Sequence, residues 1–258
     1  MHKPTVLVTG GASGLGKGLI QYFANQGYCI ILLDIDVIKA TELTQMINND
    51  GGECCFQYCD LSSAASVMLA VEKIIELYES IDLIIHNARG RNQPNSKYIS
   101  DKLTLEFDIQ IKHPTLINEL LEGLLKKSKN PSVIFIGSTN GRFVSHQSLE
   151  YHVCKGAIEQ LVRFFAVKWS DLGIRANMIQ PGIIDIPGRT RTNSILFQKV
   201  LDFVVPSKRT VKISEVGALC AFLASEGASY INGSSITLDG GEHLQDHFSL
   251  LYKALGEK

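Results

Sequence analysis

The amino-acid sequence predicts a single α/β domain, in which a parallel β-sheet carries helices on both faces. Short apolar runs alternate with longer helical patterns from one end of the chain to the other. Several of these runs are apolar at consecutive positions, as in parallel strands that are buried on both faces. The 258 residues contain no linker-like stretch that would divide them into two domains. Such alternation favours a doubly wound sheet.

Seven strands are predicted from the apolar runs, with helices between them. The strands are expected at residues 5–9, 29–34, 54–59, 82–86, 132–137, 175–180 and 235–239. The first helix should end at Gly27, and a late helix should begin with Ser214 as its N-cap. Two segments, at about 88–103 and 182–213, are rich in turn-forming residues and are expected to be loops on the substrate side of the sheet.

Composition argues against several functional classes. The net charge of −1 provides no overall field for nucleic acid or for an anionic membrane. No apolar run approaches the ~18 residues that a membrane span requires, and the N-terminus leaves no room for a signal peptide, so a cytoplasmic protein is expected. The six cysteines lack zinc-site spacing. Cys54, Cys55 and Cys59, in or beside a predicted strand, are interpreted as small buried hydrophobic residues, and no metal is expected.

A glycine-rich turn lies directly between the first strand and the first helix. In "TGGASGLG" (9–16), glycines at 10, 14 and 16 allow a tight turn and a close approach of the backbone to a pyrophosphate. The helix N-terminus that follows offers free N–H groups to the same ligand. Asp34 ends the second strand, where an acid accepts both ribose hydroxyls and repels a 2′-phosphate. The predicted cofactor is therefore NAD rather than NADP.

A second pattern, "YHVCK", places Tyr151 and Lys155 four residues apart on one helix face. A free phenol titrates near pH ~10, and a fixed positive charge nearby lowers its pKa. A tyrosine in this setting can act as a general acid or base near neutral pH. An accidental Tyr–Lys pair on a surface helix has the same spacing, so this pentapeptide alone does not decide its role.

Taken together, the motifs resemble those of the short-chain dehydrogenase/reductase family in its single-domain, Rossmann-type form. The glycine turn resembles the family's TGxxxGxG motif, and "YHVCK" resembles its YxxxK motif. "CDLS" (59–62) is similar to its CDV/CDL segment, and "GST" (137–139) to the segment with its catalytic serine. "NMIQPG" (177–182) and "ITLDGG" (236–241) resemble its NxIxPG and closing-strand motifs. The resemblance extends over about 5–241.

This resemblance implies hydride transfer between a nicotinamide cofactor and a small-molecule secondary alcohol or ketone. Tyr151 would accept or donate the proton, Lys155 would lower the phenol's pKa and bind the nicotinamide ribose, and Ser138 would hold the substrate oxygen. The family also favours a homodimer or homotetramer, packed through helices that contain 104–127 and 151–169. The implied cofactor-binding residues are Gly10, Ser13, Gly14, Leu15, Gly16, Asp34, Asp60, Leu61, Asn87, Ala88, Tyr151, Lys155, Pro181, Gly182 and Ile184.

Four positions depart from the family pattern. Arg89 stands where the family has glycine, Ile186 where it has threonine, and Cys154 where it has serine or alanine. Gln110 replaces the asparagine that is the family's fourth catalytic residue, and it is assigned that role here. In the family, the asparagine carbonyl holds a water. Pro114 has no N–H with which to occupy the Gln110 carbonyl, so that oxygen is expected to remain free for the same use.

Two questions of function stay open at the level of sequence. The intact Ser138, Tyr151 and Lys155 favour an active enzyme, whereas the four departures leave room for a dinucleotide-binding sensor or scaffold without turnover. An epimerase or dehydratase on this fold usually has a larger C-terminal lobe.

Arginines in three loops on the substrate side suggest an anionic substrate, because arginine binds carboxylate or phosphate with a two-point fork. The candidates are Arg142, Arg89 and Arg189, with Arg91 and Arg191 in the same loops.

Overall fold

The computed structural model describes residues 3–90, 98–188 and 194–256. Every predicted strand is present there, and each lies within one residue of its expected bounds. The sequence pattern of buried apolar runs therefore located the whole sheet. The strands are β1 (Thr5–Thr9), β2 (Cys29–Asp34), β3 (Glu53–Tyr58), β4 (Leu83–His86), β5 (Ser132–Ile136), β6 (Arg175–Pro181) and β7 (Ser235–Leu238).

The strands form one parallel sheet in the order β3-β2-β1-β4-β5-β6-β7. Leu7 of β1 pairs with Ile31 of β2 on one side and with Ile84 of β4 on the other. The chain thus builds outward from β1 to β3 and then crosses back to β4. This confirms the predicted doubly wound, Rossmann-type α/β fold. In such sheets, ligands bind at the carboxyl ends of the strands where the winding direction changes, here between β1 and β4.

Helices cover both faces of the sheet, as predicted. One buried apolar cluster joins the sheet to α3, α5 and α6, and another joins it to α1, α2 and α8. Among the described helices, none is both long enough and apolar enough to cross a bilayer. The helices are α1 (Gly14–Asn25), α2 (Val37–Asn49), α3 (Ala64–Leu77), α4 (Ile99–Phe107), α5 (His113–Leu125), α6 (Leu149–Lys168), α7 (Ile195–Val204), α8 (Ile213–Ala224) and α9 (His247–Leu255).

The helix ends agree with the sequence at α1 and differ at α8. Gly27 follows the end of α1 with a φ of +80°, the left-handed conformation that favours glycine after a helix. Helix α8 begins at Ile213, so Ser214 lies in its first turn and is not the N-cap. The Glu215 carboxylate accepts the N–H of Lys212 at 2.9 Å. This bond from an acid in the first turn satisfies an N-terminal donor, which is why no serine cap is required.

The segments expected as loops contain more helix than predicted. Helix α4 begins at Ile99, and all of α7 lies within 182–213. Helix α7 begins after Ser194, whose hydroxyl accepts the N–H of Phe197 at 3.0 Å. Only Leu201 of α7 is buried, although the helix is rich in apolar residues, and turn-forming residues flank it on both sides. Residues 91–97 and 189–193 lie outside the described part of the chain.

The cysteines agree in part with their interpretation as buried hydrophobic residues. Cys54 and Cys59 are buried, whereas Cys55 is half-buried, and all three are free thiols. Burial raises the pKa of Cys54 to about 11 and that of Cys59 to about 12, so both remain protonated at neutral pH. Within residues 3–90, 98–188 and 194–256, no three His, Cys, Asp or Glu side chains are grouped as a metal site.

Candidate active site

The glycine turn, Thr9–Gly16, needs its glycines for two different reasons. Gly10 and Gly14 have φ values of +65° and +57°, which other residues adopt at a cost. Gly16 is required by contact, because a Cβ there would lie 2.0 Å from the carbonyl oxygen of Gly10. Between them, Ser13 is the N-cap of α1 and Leu15 is buried. The turn therefore packs tightly against the start of α1, as the motif predicts.

The end of β4 is joined to the glycine turn by hydrogen bonds from Asn87. Its side-chain amide donates to the carbonyls of Thr9 and Gly10, at 3.2 and 3.0 Å. The Thr9 hydroxyl accepts the N–H groups of Asn87 and Ala88, at 3.1 and 3.2 Å. A Cβ on Gly10 would lie 2.8 Å from the Cα of Ala88. Asn87 and Ala88 thus lie beside the turn, at the point where the winding direction of the sheet changes.

Asp34 lies beside the same turn, at the end of β2. Its Oδ2 accepts the N–H of Ala12 at 2.8 Å, and its Oδ1 accepts the N–H of Asp36 at 3.0 Å. Asp60 and Leu61 follow β3 on the same edge of the sheet. The Leu61 carbonyl lies 2.6 Å from Nδ1 of the buried His113 of α5. The N–H of Cys59 donates to the Asp34 carbonyl at 3.0 Å, so the chain that leads to Asp60 and Leu61 lies next to Asp34.

The candidate reaction centre, formed by the predicted residues Ser138, Tyr151 and Lys155, lies between β5 and α6. Lys155 is only 4% exposed, and its Nζ donates to the Ile136 carbonyl at 2.7 Å. The same Nζ lies 5.8 Å from the centre of the Tyr151 ring. A Cβ on Gly141 would lie 2.8 Å from the Lys155 carbonyl, so the short turn after Ser138 packs directly on α6. The three predicted residues therefore share one edge of the sheet.

The pKa of Lys155 is well below the usual value for lysine. Burial, and then the positive charge of Arg89, lower this pKa to about 8, while the Glu106 carboxylate opposes them. Both lowering effects act by disfavouring the charged ammonium. Lys155 therefore carries its charge below about pH 8 and loses it above that value.

Arg89 is the predicted substrate arginine that the structure brings to the reaction centre. Its guanidinium carbon lies 5.5 Å from the centre of the Tyr151 ring, within the range of a cation–π contact. The side chain is otherwise exposed. It can therefore meet a ligand while it stays next to Tyr151.

Arg142, another predicted substrate arginine, forms an ion pair with an acid on the surface of α6. Its Nε and Nη2 donate to the two carboxylate oxygens of Glu159, at 3.2 and 2.7 Å. Arg163 also donates to Glu159, at 2.6 Å, and the two guanidinium groups hold the pKa of this carboxyl below its usual value. These contacts satisfy the charge of Arg142 without a substrate. Arg189, with Arg91 and Arg191, lies outside the described residues.

Gln110 lies in a π-helical segment, Asp108–Lys112, that joins α4 to α5. The N–H of His113 donates to the carbonyl of Asp108 five residues earlier, and Pro114 follows at the start of α5. Such widened turns are frequent at functional sites. The helical bonding thus departs from the α pattern near Gln110, as expected from Pro114, whose missing N–H removes the α-helical partner of the Gln110 carbonyl.

The Gln110 side chain makes a contact that the sequence did not predict. Its Nε2 donates to Oε2 of Glu106 at 2.5 Å, and the two residues are 2% and 3% exposed. Glu106 lies one helical turn before Gln110. Sequence reasoning passed over it because a single acid within a helix pattern is normally solvated.

The segment after β6 carries the residues implied for the nicotinamide end. The N–H of Gly182 donates to the Leu238 carbonyl at 3.0 Å, and a Cβ on Gly182 would lie 2.8 Å from that of Asp239. Ile184 pairs with Val211 in an isolated bridge. Pro181 ends β6, next to β5, whose carboxyl end leads to the reaction centre. Ile186 is half-buried two residues beyond Ile184.

His152 is a further residue that sequence reasoning missed. Its Nε2 accepts the N–H of Ser145 at 2.9 Å, so Nδ1 carries the proton and donates to the Ser148 carbonyl at 2.7 Å. These bonds fix the loop that connects the reaction-centre serine to α6. In the sequence, the indication of these contacts was limited to the presence of a histidine next to Tyr151.

Comparisons with known proteins identify the family to which a chain with this fold and this site belongs. A family model described as "Enoyl-(Acyl carrier protein) reductase" matches residues 10–243. Oxidoreductase UcpA of Salmonella typhimurium is 31% identical over 259 residues, which cover 95% of this chain and 97% of UcpA. Tropinone reductase homolog At2g29340 of Arabidopsis thaliana is 30% identical over 240 residues, which cover 92% of this chain and 78% of the homolog.

Solved structures agree with these relatives. The Pseudomonas aeruginosa RhlG/NADP active-site complex superposes with a TM-score of 0.83 at 26% identity, covering 94% of this chain and all of that one. The chain is thus a Rossmann-type oxidoreductase, and it belongs to the short-chain dehydrogenase/reductase family. Members of this family bind a nicotinamide cofactor.

Proposed function

We propose that this chain is an NAD-dependent oxidoreductase that interconverts a secondary alcohol and a ketone, with Tyr151 as the general acid and base. The observation that carries the proposal is the Tyr151 ring beside the buried Lys155 ammonium, on the sheet edge that also holds the glycine turn. NAD would supply the hydride acceptor at its nicotinamide ring. The chain's own residues would bind the substrate oxygen and move its proton.

The glycine turn fits a dinucleotide. A Cβ on Gly16 would collide with the Gly10 carbonyl, so the backbone here is as close-packed as a pyrophosphate cradle requires. Ser13 is the N-cap of α1 but makes no side-chain hydrogen bond to the first turn. The N–H groups of that turn are therefore not capped by Ser13 and can donate to a phosphate.

Each member of the reaction centre has donors left for this chemistry. The Ser138 oxygen accepts the N–H of Asn140 at 3.2 Å, so its own proton is free to hydrogen-bond a substrate oxygen. The Lys155 ammonium has three protons, and the Ile136 carbonyl takes one of them. The others can bind the nicotinamide ribose. In oxidation the Tyr151 oxygen would take the alcohol proton as the hydride leaves, and in reduction it would return it.

The preference for NAD rests on Asp34. Its carboxylate lies beside the glycine turn, where a 2′-phosphate would meet a like charge. The RhlG complex contains NADP, so cofactor choice has to be tested on this chain. Native protein is expected to bind NADH at least ~10-fold more tightly than NADPH, a difference of about 1.4 kcal/mol. Fluorescence titration with the two cofactors measures it.

Asp34→Asn is the informative variant for this preference. The amide oxygen can still accept the N–H of Ala12, but the negative charge is gone, so the gap between NADH and NADPH should narrow mainly through tighter NADPH binding. Equal affinity of the native protein for both cofactors would refute the assignment of NAD.

We further propose that the substrate carries a carboxylate or phosphate, which Arg89 would bind beside Tyr151. A guanidinium next to the reacting group can hold such an anion with two hydrogen bonds. At pH 7, Arg89→Met is expected to lower kcat/KM for anionic substrates by ~10–100-fold and to leave neutral ones nearly unchanged. A panel of alcohols and ketones with NAD(H) provides the measurement, with Arg163→Met as a control arginine on the surface of α6. Activity confined to neutral substrates would argue against this proposal.

A homodimer or homotetramer is the proposed assembly. Exposed apolar side chains on α4, α5 and α6 support it, because they lie on the helices through which relatives are expected to pair. They include Phe107, Leu120, Phe164 and Val167.

A further inference from the structure

The backbone after β4 is held against a buried carboxylate. The N–H of Gly90 donates to Oε2 of Glu106 at 3.2 Å. A Cβ on Gly90 would lie 2.6 Å from Oε1 of the same carboxylate, so the contact exists because residue 90 has no side chain. Glu106 therefore fixes the position of the residue next to Arg89.

Gln110 in turn fixes Glu106. Its Nε2 donates to the same Oε2 atom at 2.5 Å, from one helical turn further along the chain. Both side chains are almost fully buried, so neither can exchange this contact for water without local opening. A glutamine side chain is one methylene longer than the family's asparagine, and the extra length helps its amide to reach Glu106.

Arg89 and Lys155 lie near the same aromatic ring. The guanidinium carbon is 5.5 Å and the ammonium nitrogen 5.8 Å from the centre of the Tyr151 ring. A like charge disfavours the protonated form of a buried lysine, and a nearby carboxylate favours it. Arg89 and Glu106 therefore act on Lys155 in opposite directions.

We propose that Arg89 is a second charged residue of the reaction centre, acting on the Tyr151–Lys155 pair, and that Glu106 and Gln110 are positioning residues that hold the Arg89–Gly90 segment in place. Two departures from the family, arginine for glycine at 89 and glutamine for asparagine at 110, then belong to one arrangement. The proposal deepens the proposed function and rests on it only for its kinetic readout.

The groups that face Lys155 come from several elements of the fold. On α6 they are Tyr151 and Cys154, and Arg89 and Glu106 come from the segment after β4 and from α4. The buried Glu150 acts on Cys154. Burial raises the pKa of Cys154 to about 11, so this thiol is neutral where Lys155 titrates. Arg89 and Glu106 are the charged groups that act on Lys155 in opposite directions. Arg89 lowers the pKa of Lys155, which is about 8, and Glu106 raises it.

The test follows the Lys155 proton directly, without turnover. Protein labelled with ¹³C at the lysine ε-carbons is titrated by NMR, and the Lys155 signal is assigned by its loss in Lys155→Met. Arg89→Met should move the midpoint to higher pH, because a like charge is removed. Glu106→Gln keeps an acceptor oxygen for Gly90 and Gln110 but loses the negative charge, so it should move the midpoint to lower pH. The shift in Arg89→Met should be about half a pH unit, since water screens the exposed Arg89. The shift in Glu106→Gln should have the opposite sign.

The positioning role is tested by a double-mutant cycle. Gln110→Ala leaves both charges in place but releases Glu106, so the Lys155 midpoint should move toward that of Arg89→Met. In the Arg89→Met background, Gln110→Ala should then have almost no further effect. A structural role unconnected with Arg89 would give the same shift in both backgrounds. Arg163→Met, the surface arginine, should leave the midpoint unchanged.

In every variant, the alkaline limb of the pH profile of kcat/KM should shift in the same direction as the midpoint of the Lys155 NMR titration. Shifts of Arg89→Met and Glu106→Gln in the same direction, or none in either, would overturn the charged role of Arg89. Equal shifts of Gln110→Ala in both backgrounds would overturn the positioning role. An NMR midpoint that behaves as expected in a protein without turnover would instead refute the proposed function and leave this inference standing.

Discussion

Replacing Tyr151 by phenylalanine is expected to lower kcat by ~10²–10⁴-fold, the usual contribution of a general acid or base. The phenylalanine ring keeps the aromatic face that meets Arg89 and Lys155, so the local packing should survive. Only the hydroxyl that moves the proton is lost. NADH affinity, measured by fluorescence titration, should therefore remain within about twofold of native.

Lys155→Ala provides the contrast to this variant. The ammonium has both proposed duties, since it supports Tyr151 and binds the ribose, and its removal should weaken NADH binding as well as turnover. If Tyr151→Phe kept more than about a tenth of the native rate, the phenol would not be the group that moves the proton.

Gly16→Ala is expected to abolish useful cofactor binding. The added methyl would lie 2.0 Å from the Gly10 carbonyl oxygen and 2.7 Å from Nδ2 of Asn87, and neither atom belongs to a long, flexible side chain. The turn must therefore move. We expect NADH affinity to fall by at least ~100-fold, about 2.8 kcal/mol, as measured by calorimetry.

Gly123→Ala is the matched control, because it is also a glycine-to-alanine change in a helix. No atom lies within 4 Å of a Cβ at this position of α5. NADH binding should be unchanged, and the free energy of unfolding should rise by ~0.5–1 kcal/mol because alanine favours helix. Affinity of Gly16→Ala within a few-fold of native would mean that the turn is not the cofactor cradle.

The sheet was predictable from sequence because its strands are buried on both faces and therefore nearly continuously apolar. Helix α7 was not, because its ten residues lie within a longer segment rich in turn-forming residues, which favours a loop when the segment is taken as a whole. The start of α8 was misplaced at Ser214 because a serine cap is a strong local pattern. In the structure, the Glu215 carboxylate accepts the N–H of Lys212 and so satisfies a donor at the start of α8, and sequence alone does not rank the two patterns.

The site was predictable where spacing along the chain carries the chemistry. Tyr151 and Lys155 lie one helical turn apart, so their proximity follows from the helix itself. The ion pair of Arg142 was not predictable because its partner Glu159 is 17 residues away, and their contact depends on how the turn after β5 packs on α6. Glu106 was missed because burial of a lone acid is a tertiary property.

The hydrogen bonds among Thr9, Gly10 and Asn87 order the glycine turn before any cofactor binds. Its conformational entropy is lost when the chain folds, so dinucleotide binding does not have to order it. The same bonds tie the turn to β1 and β4, the adjacent strands at the middle of the sheet. Local opening of the turn therefore requires parting these central strands, which gives a ligand-binding loop the slow amide hydrogen exchange of a protein core.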